Sequence, residues 1–129
     1  MTVMINATPA TRFFNEIHVT LRIYGYDTRI DSLYKVRPPE GPWFLHLSLH
    51  PHVHPGKCAR IALQLDEISH NGRAVRVGLE NLTFEPTDNS EVRDNLRREI
   101  EDRSGELDST ALALLIVDAL DTAGISSGK

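Results

Sequence analysis

The stretch Trp43–Cys58, WFLHLSLHPHVHPGKC, is the most strand-like part of the chain. Apolar side chains occupy every second position and would share one face of a strand: Trp43, Leu45, Leu47 and Leu49. The alternate positions would share the other face: Phe44, His46, Ser48 and His50. Pro51 has no N–H to donate, so regular strand pairing should fail near it. The pattern therefore predicts a half-buried strand with histidines on its polar face.

Four of the six histidines lie in this stretch, and His52 and His54 keep the parity of the first two. Same-face neighbours on an extended chain are about 6.6 Å apart, which lets two imidazoles reach one ion. Imidazole is a good ligand for zinc and other divalent transition metals. One hypothesis is therefore a zinc or other divalent-metal site formed by His46, His50, His52 and His54. The alternative is that these histidines line a solvated strand face and bind water or backbone groups.

Length and composition favour one soluble domain over residues 1–129. Apolar residues make up 40% of the chain and charged residues 25%, which is ordinary for a globular protein. The longest apolar run, Ala111–Val117, is too short to cross a membrane. Met1–Ala10 has no secretory-signal pattern, and the single Cys58 cannot form an internal disulfide. We therefore expect a cytoplasmic protein without membrane contact.

The net charge of −4 is unevenly distributed along the chain. Residues 1–60 hold seven Lys or Arg against four acids, whereas residues 61–129 hold seven against fourteen. The overall acidity argues against general nucleic-acid binding, because such proteins usually carry a basic surface. A narrower possibility is contact with single strands through basic and aromatic residues of the first half, and packing of aromatics on Arg stems is the alternative. The residues concerned are Arg22, Arg29, Lys35, Arg37, Tyr24, Tyr26 and Tyr34.

The first two thirds of the chain read as extended. Residues 1–11 should be a flexible arm, and from Arg12 onward apolar residues alternate with polar ones at Ile17, Val19, Leu21 and Ile23. A shorter strand is expected within Arg29–Val36. Asn71-Gly72 suits a tight turn and predicts a hairpin of Arg60–Ser69 with Arg73–Phe84, with a helix over Lys57–His70 as the alternative. The predicted fold class is α+β, with an antiparallel sheet of about five strands over residues 12–85.

Two helices are predicted over residues 88–124, followed by a polar tail at 125–129. Asp88 and Glu91 have capping-box spacing, and Asp108 or Ser109 should begin the second helix. The second helix is apolar around most of its circumference, so it must be buried under the sheet or against another subunit. These C-terminal helices therefore predict a homodimer or higher oligomer.

Two short motifs of the form H-x-[S/T] each fall in a predicted strand, one at His18-Val19-Thr20 and one at His46-Leu47-Ser48. They resemble the two signature motifs of the 2H phosphoesterases, which include RNA cyclic phosphodiesterases. The resemblance implies that His18 and His46 are general acid and base, with the hydroxyls of Thr20 and Ser48 holding phosphate oxygens. It covers only these two short segments.

Each chemical pattern has a simpler structural explanation. The leading prediction is therefore a non-catalytic module that binds a protein partner or assembles with itself. The alternative is a small hydrolase or phosphodiesterase that uses the two H-x-[S/T] motifs.

Overall fold

The computed structural model describes residues 9–35, 42–54, 56–66 and 76–125, with side chains from residue 12 onward. These residues form three helices and four strands, in an α+β arrangement as the sequence predicts. In chain order they are α1 (Pro9–Ile23), β1 (Tyr26–Lys35), β2 (Trp43–Pro51), β3 (Cys58–Leu65), β4 (Val77–Glu85), α2 (Ser90–Asp102) and α3 (Ser109–Thr122).

The four strands form one antiparallel sheet in the order β1-β2-β3-β4. The apolar face of β2 continues across the sheet, because Leu47 pairs with Ile30 on one side and Ile61 on the other. Ile61 in turn pairs with Leu82 of β4. The helices lie on this side, which we call the helix face: α1 contacts β1, α2 contacts β4, and α3 packs against α1 and α2. The described sheet has four strands rather than about five.

The strand predicted from Arg12 onward is wrong, because these residues form helix α1. The buried positions are Phe13, Phe14, Ile17 and Leu21, which lie on one side of a helix. Val19 and Ile23, which a strand would bury beside Ile17, are 52% and 68% exposed. The helix ends before Gly25, whose φ of 97° suits a helix C-terminus. The period of two was therefore coincidental, and the two phenylalanines determine the buried side.

The hairpin predicted after Cys58 is confirmed at the level of its strands. β3 and β4 pair antiparallel from Cys58–Glu85 to Leu65–Val77, so the helix alternative for residues 57–70 is wrong over β3. The strands are shorter than predicted, and Asn71-Gly72 lies outside the described residues.

The two C-terminal helices are confirmed, with one cap differing from the prediction. Asn89, not Asp88, caps α2 by accepting a hydrogen bond from the N–H of Val92. Asp108 caps α3, and its Oδ1 lies 2.7 Å from the nitrogen of Ala111.

Helix α3 is buried within this chain, because α1 and α2 both pack against it. The sequence expectation of an oligomer through the C-terminal helices rested on a surplus of apolar surface. Helix α1 accounts for that surplus, since the strand prediction had left α3 without a helical neighbour on that side. The apolar surface of α3 therefore gives no separate support for that interface, which stays a prediction.

Both predicted terminal segments need correction. Helix α1 begins at Pro9, within the arm predicted for residues 1–11, and residues 1–8 lie outside the described part. Ile125 is 3% exposed, and its carbonyl accepts a hydrogen bond from the hydroxyl of Tyr26 at 2.9 Å, so it belongs to the core rather than to a tail. None of the helices in the described ranges is long and apolar enough to cross a membrane.

Candidate functional site

Among the described residues, helices cover only one face of the sheet. The other surface, which we call the open face, carries the alternate side chains of β2: Phe44, His46, Ser48 and His50. Their β3 partners include Arg60 and Gln64, both polar, opposite Ser48 and Phe44. The sequence correctly predicts which side chains of β2 share each face.

The four histidines of the proposed metal site do not remain on one extended segment. β2 ends at Pro51, and the chain then turns, with the N–H of His54 bonded to the carbonyl of Pro51 at 3.2 Å. His52 is exposed in this turn, whereas His46 and His50 lie on the open face. In the described ranges, no three His, Cys, Asp or Glu side chains are grouped as metal ligands. The arrangement needed for a shared ion is therefore not formed by these four residues.

The two H-x-[S/T] motifs lie on opposite faces of the sheet. His18 and Thr20 are in helix α1, and the Nε2 atom of His18 is 2.8 Å from the carbonyl oxygen of Thr28 in β1. His46 points away from the helices. The two-strand presentation that the resemblance implies is absent, because only the second motif lies in a strand.

Ser48 of the second motif is occupied by an internal contact. Its hydroxyl donates a hydrogen bond to Oδ2 of Asp31, and the residue is 7% exposed. Asp31 lies at an irregularity in β1, between Ile30 and Ser32, where the register with β2 shifts. The hydroxyl therefore has a structural partner at the bulge.

Aromatic rings stack across β1 and β2 on the open face. The ring of Tyr34 lies 5.4 Å from that of Phe44 and 5.9 Å from that of His46, nearly parallel to both. Tyr34 is 47% exposed. Tyr26 is buried on the helix side of the sheet, so the tyrosines predicted as a nucleic-acid surface do not share one face. Arg37 of that set lies outside the described residues.

Cys58, the first residue of β3, is the cross-strand partner of Glu85, the last residue of β4. Burial raises the pKa of the Cys58 thiol, and the neighbouring Glu85 carboxylate raises it further, while Arg60 acts in the opposite direction. A thiol with a raised pKa is a weak nucleophile at neutral pH. Cys58 therefore has the properties of a structural cysteine.

A groove of about 210 Å³ lies between α2 and α3. Leu96, Leu115 and Ala119 contribute apolar lining, and Glu99 and Asp118 contribute acidic side chains. Cavities that enclose small molecules are usually larger, about 300–1,000 Å³. This groove is therefore a poor candidate for a substrate pocket.

Side chains bond four outward backbone groups along the outer edge of β4, and we call this edge closed in that sense. Arg97 of α2 donates from Nε to the carbonyl of Leu79 at 3.1 Å and from Nη2 to the carbonyl of Glu80 at 3.2 Å. Two N–H groups of the strand donate to side chains, Val77 to Ser104 at 2.8 Å and Phe84 to Asp88 at 3.1 Å. Such contacts use the backbone groups with which a second strand would pair.

The outer edge of β1 is closed only near its beginning. The carbonyl of Thr28 accepts from His18, so it points away from β2 and its partner Leu49 does not bond β1 at this pair. Because bonded and non-bonded pairs alternate along antiparallel strands, the β2 residues two, four and six positions before Leu49 also do not bond their β1 partners. The β1 partners at those positions direct their N–H and C=O groups outward: Ile30, Leu33 and Lys35.

No hydrogen bond from another described residue reaches these outward groups. Leu33 is 38% exposed on one side of the strand, and Tyr34 is more exposed on the other. We call the outward backbone groups of Ile30, Leu33 and Lys35 the free edge. The free edge is the main structural candidate for a binding surface.

The histidine-based interpretation missed this candidate. The sequence contains a signal for a short strand within Arg29–Val36, but nothing local identifies that strand as an edge. Arg97 and Leu79 are 18 positions apart, and that contact becomes visible only in the fold. A weak signal is the pair of exposed apolar residues, Leu33 and Tyr34, next to each other in a predicted strand.

A scan against protein-family models found no match to this chain, and searches of curated proteins and of solved structures likewise found none.

Proposed function

We propose that the chain is a non-catalytic protein-binding module that accepts one extended polypeptide strand along the free edge of β1. The observation that carries this proposal is the contrast between the two sheet edges, one closed by α2 and its flanking residues, the other uncapped from Ile30 to Lys35 within the described residues. In strand addition, backbone hydrogen bonds supply affinity and alternate side chains supply specificity. Leu33 and Tyr34 could provide the second contribution on the two sides of the strand.

The phosphodiesterase alternative has less support. General acid–base catalysis requires both groups within reach of one substrate. His18 is bonded to Thr28 on the helix side, and His46 stacks on Tyr34 on the open face. Strand binding at the free edge does not require two side chains to reach one substrate, because its backbone groups follow a single strand.

A peptide library displayed on phage tests the proposal without knowledge of the natural partner. Peptides enriched on the wild-type protein should shift the amide NMR signals of Ile30, Leu33 and Lys35. Leu33→Pro removes an outward N–H and no described internal hydrogen bond, so the sheet should persist while binding falls roughly tenfold. Leu33→Thr keeps the N–H and is the control for the change of side chain.

The proposal fails if no peptide is enriched, or if the enriched peptides bind Leu33→Pro as well as wild type. Shifts confined to the groove between α2 and α3 would also contradict it. Thermal unfolding of each variant shows whether a loss of binding reflects a loss of fold.

A further inference from the structure

We infer that the polypeptide accepted at the free edge is an antiparallel strand that places an aromatic side chain opposite Tyr34 and an aliphatic side chain opposite Leu33. This inference rests on the proposed function and specifies the class of peptide that the edge selects. Three features of the described residues support it: the outward backbone groups, the way the ring of Tyr34 is held, and the side chains around these two positions.

The outward backbone groups determine where side chains of an added strand are selected. Leu33 and Lys35 both direct N–H and C=O groups away from β2, so an antiparallel strand can exchange two hydrogen bonds with each of them. Tyr34 lies between them, and the residue opposite it belongs to a pair without hydrogen bonds, in which facing side chains come closest. The strand pairs within the described sheet are all antiparallel, so an added antiparallel strand continues the same pattern. Selection should therefore be strongest opposite Tyr34.

The ring of Tyr34 is exposed and is nevertheless held in place. The residue is 47% exposed, and its ring stacks on those of Phe44 and His46. A ring that is already ordered loses little conformational entropy on binding, so more of the contact energy contributes to affinity. Aromatic side chains at facing strand positions also attract one another beyond the effect of the area they bury. An aromatic residue of the partner would extend the stacked rings from β2 across β1 to the added strand.

The surroundings of Tyr34 on the open face favour an uncharged partner side chain. The position across the sheet holds Phe44, and the position two residues earlier holds the small, exposed Ser32. Asp31 lies beyond Ser32 at the bulge, and its carboxylate already accepts a hydrogen bond from Ser48. A charged side chain placed beside Tyr34 would lose water without gaining an opposite charge.

The helix face favours an aliphatic side chain opposite Leu33. Leu33 is 38% exposed, and the partly buried Ile30 on the same face packs against the core. An aliphatic partner residue would remove this apolar surface from water. Lys35 adds no selection by charge, because its ammonium group lies over the ring of Trp43, 5.5 Å from the centroid, on the β2 side and away from the free edge.

The strand direction turns these preferences into an order of residues. In an antiparallel strand, the residue opposite Tyr34 precedes the residue opposite Leu33. The selected peptides should therefore read aromatic and then aliphatic from the amino to the carboxyl end. A parallel strand would select the reverse order, so the order found in displayed peptides reports the direction.

Defined peptides test the inference by NMR titration of the full chain. The first has the sequence Ser-Thr-Thr-Trp-Val-Thr-Ser-Lys with blocked ends, the second reverses Trp-Val to Val-Trp, and the third replaces Trp with Thr. The first peptide should shift the amide signals of Leu33 and Lys35 and bind about three- to tenfold more tightly than the third. It should also bind more tightly than the second, which cannot place both side chains opposite their partners in an antiparallel strand.

Tyr34→Thr separates side-chain recognition from loss of fold. The substitution removes the ring and keeps a β-branched residue that suits a strand. This variant should bind the Trp and Thr peptides within about twofold of each other, because the coupling between the two rings is lost. Tyr24→Thr is the control, since it removes a tyrosine of similar exposure, 39%, outside the sheet and should keep the full preference.

A nitroxide label at the amino end of the Trp-Val peptide tests the strand direction. In the antiparallel arrangement this end lies beyond Lys35, so the amide signal of Lys35 should broaden more than that of Ile30. The same peptide labelled at its carboxyl end should give the opposite pattern. Stronger broadening at Ile30 by the amino-terminal label would overturn the antiparallel arrangement.

The outcomes separate this inference from the proposed function. Equal binding of the Trp and Thr peptides by wild type, or a full preference in Tyr34→Thr, overturns the selection of an aromatic residue. If those peptides still shift the amides of Ile30, Leu33 and Lys35, strand acceptance stands without this selection. If neither the defined nor the displayed peptides bind there, both proposals fail.

Discussion

Both edge strands of this sheet carry outward backbone N–H and C=O groups, but side chains bond more of these groups on β4 than on β1. β4 has four of its outward backbone groups bonded by side chains, two of them by Arg97. β1 has the carbonyl of Thr28 bonded by His18 and nothing comparable among described residues from Ile30 to Lys35. Unprotected edges invite pairing with another strand, so an unprotected segment beside a protected one is informative. The difference shows that a candidate binding surface can be identified by backbone groups that no side chain bonds, and not only by reactive side chains.

The helices explain how the difference arises. α2 lies against β4 and carries Arg97 on the side that reaches the strand backbone. α1 packs against β1, and among the described residues of α1 His18 alone bonds the outer edge of that strand. His18 bonds one position of this edge, so the described positions from Ile30 to Lys35 stay open.

The largest expected effect tests whether α1 covers the β1 side of the sheet. Phe14 is 1% exposed, and its ring packs edge-on against Trp43 at 5.8 Å. Phe14→Ala should lower the free energy of unfolding by about 3 kcal/mol, because it leaves a cavity in the core. Urea denaturation measures the change.

Val19→Ala is the matched control for this substitution. Val19 is 52% exposed on α1, so its truncation should change stability by no more than about 0.5 kcal/mol. A strand over residues 12–23 would bury Val19 beside Ile17, and a large loss for this variant would argue against the helix.

The next effect concerns the closed edge. Arg97→Ala removes both hydrogen bonds to the carbonyls of Leu79 and Glu80, and should cost about 2 kcal/mol of stability. It also frees two carbonyls of β4, so pairing along this edge should increase and light scattering should rise with concentration relative to wild type. Arg98→Ala, one position along the same helix, should do neither.

A smaller effect is expected where β1 is closed. His18→Ala frees the carbonyl of Thr28 and should cost about 1 kcal/mol, since one partly buried hydrogen bond is lost. Strand acceptance at Leu33 should survive, because the free edge itself is untouched. His52→Ala removes an exposed imidazole and is the control. Loss of peptide binding in His18→Ala alone would show that the bond to Thr28 does more than limit the open segment.

Local patterns in the sequence were sufficient for the parts of the fold that have one consistent period. The alternation of Trp43–Pro51 predicts β2 and its two faces, and the stripe of Val92, Leu96 and Ile100 predicts α2. The prediction for α1 failed because Ile17 and Leu21 are four residues apart, a spacing that fits both the strand period of two and the helix period of 3.6. Tertiary packing, in which both phenylalanines are buried, resolves that ambiguity.

The candidate site was less predictable for a physical reason. Face parity along β2 is local, and it places His46 and His50 on the open face as expected. Whether an edge is free depends on contacts between residues far apart in sequence, such as Val77 with Ser104. No short window of the sequence contains that information, so the shared face of the histidines could not indicate which strand edge is free.

The smallest expected effect uses Cys58 as a reporter of the β4 side. Its thiol has a raised pKa in the folded chain, so the folded state holds the proton more tightly than the unfolded state. Its contribution to stability is therefore complete below the ordinary thiol pKa of 9.0 and is lost as the pH rises through the folded value. Stability of wild type relative to Cys58→Ala should accordingly be constant near neutrality and decline above pH 9.0.

Alkylation of the same thiol links this effect to the contrast between the edges. Cys58 pairs with Glu85 at the end of β4, and iodoacetamide should react with it more slowly than with the unfolded chain, because both burial and the raised pKa suppress the thiolate. Arg97→Ala loosens β4 and should accelerate the reaction, whereas Leu33→Pro, on the other edge, should not. Equal acceleration of alkylation by both variants would mean that β1 and β4 open together. The difference between the two edges would then not belong to the individual strands.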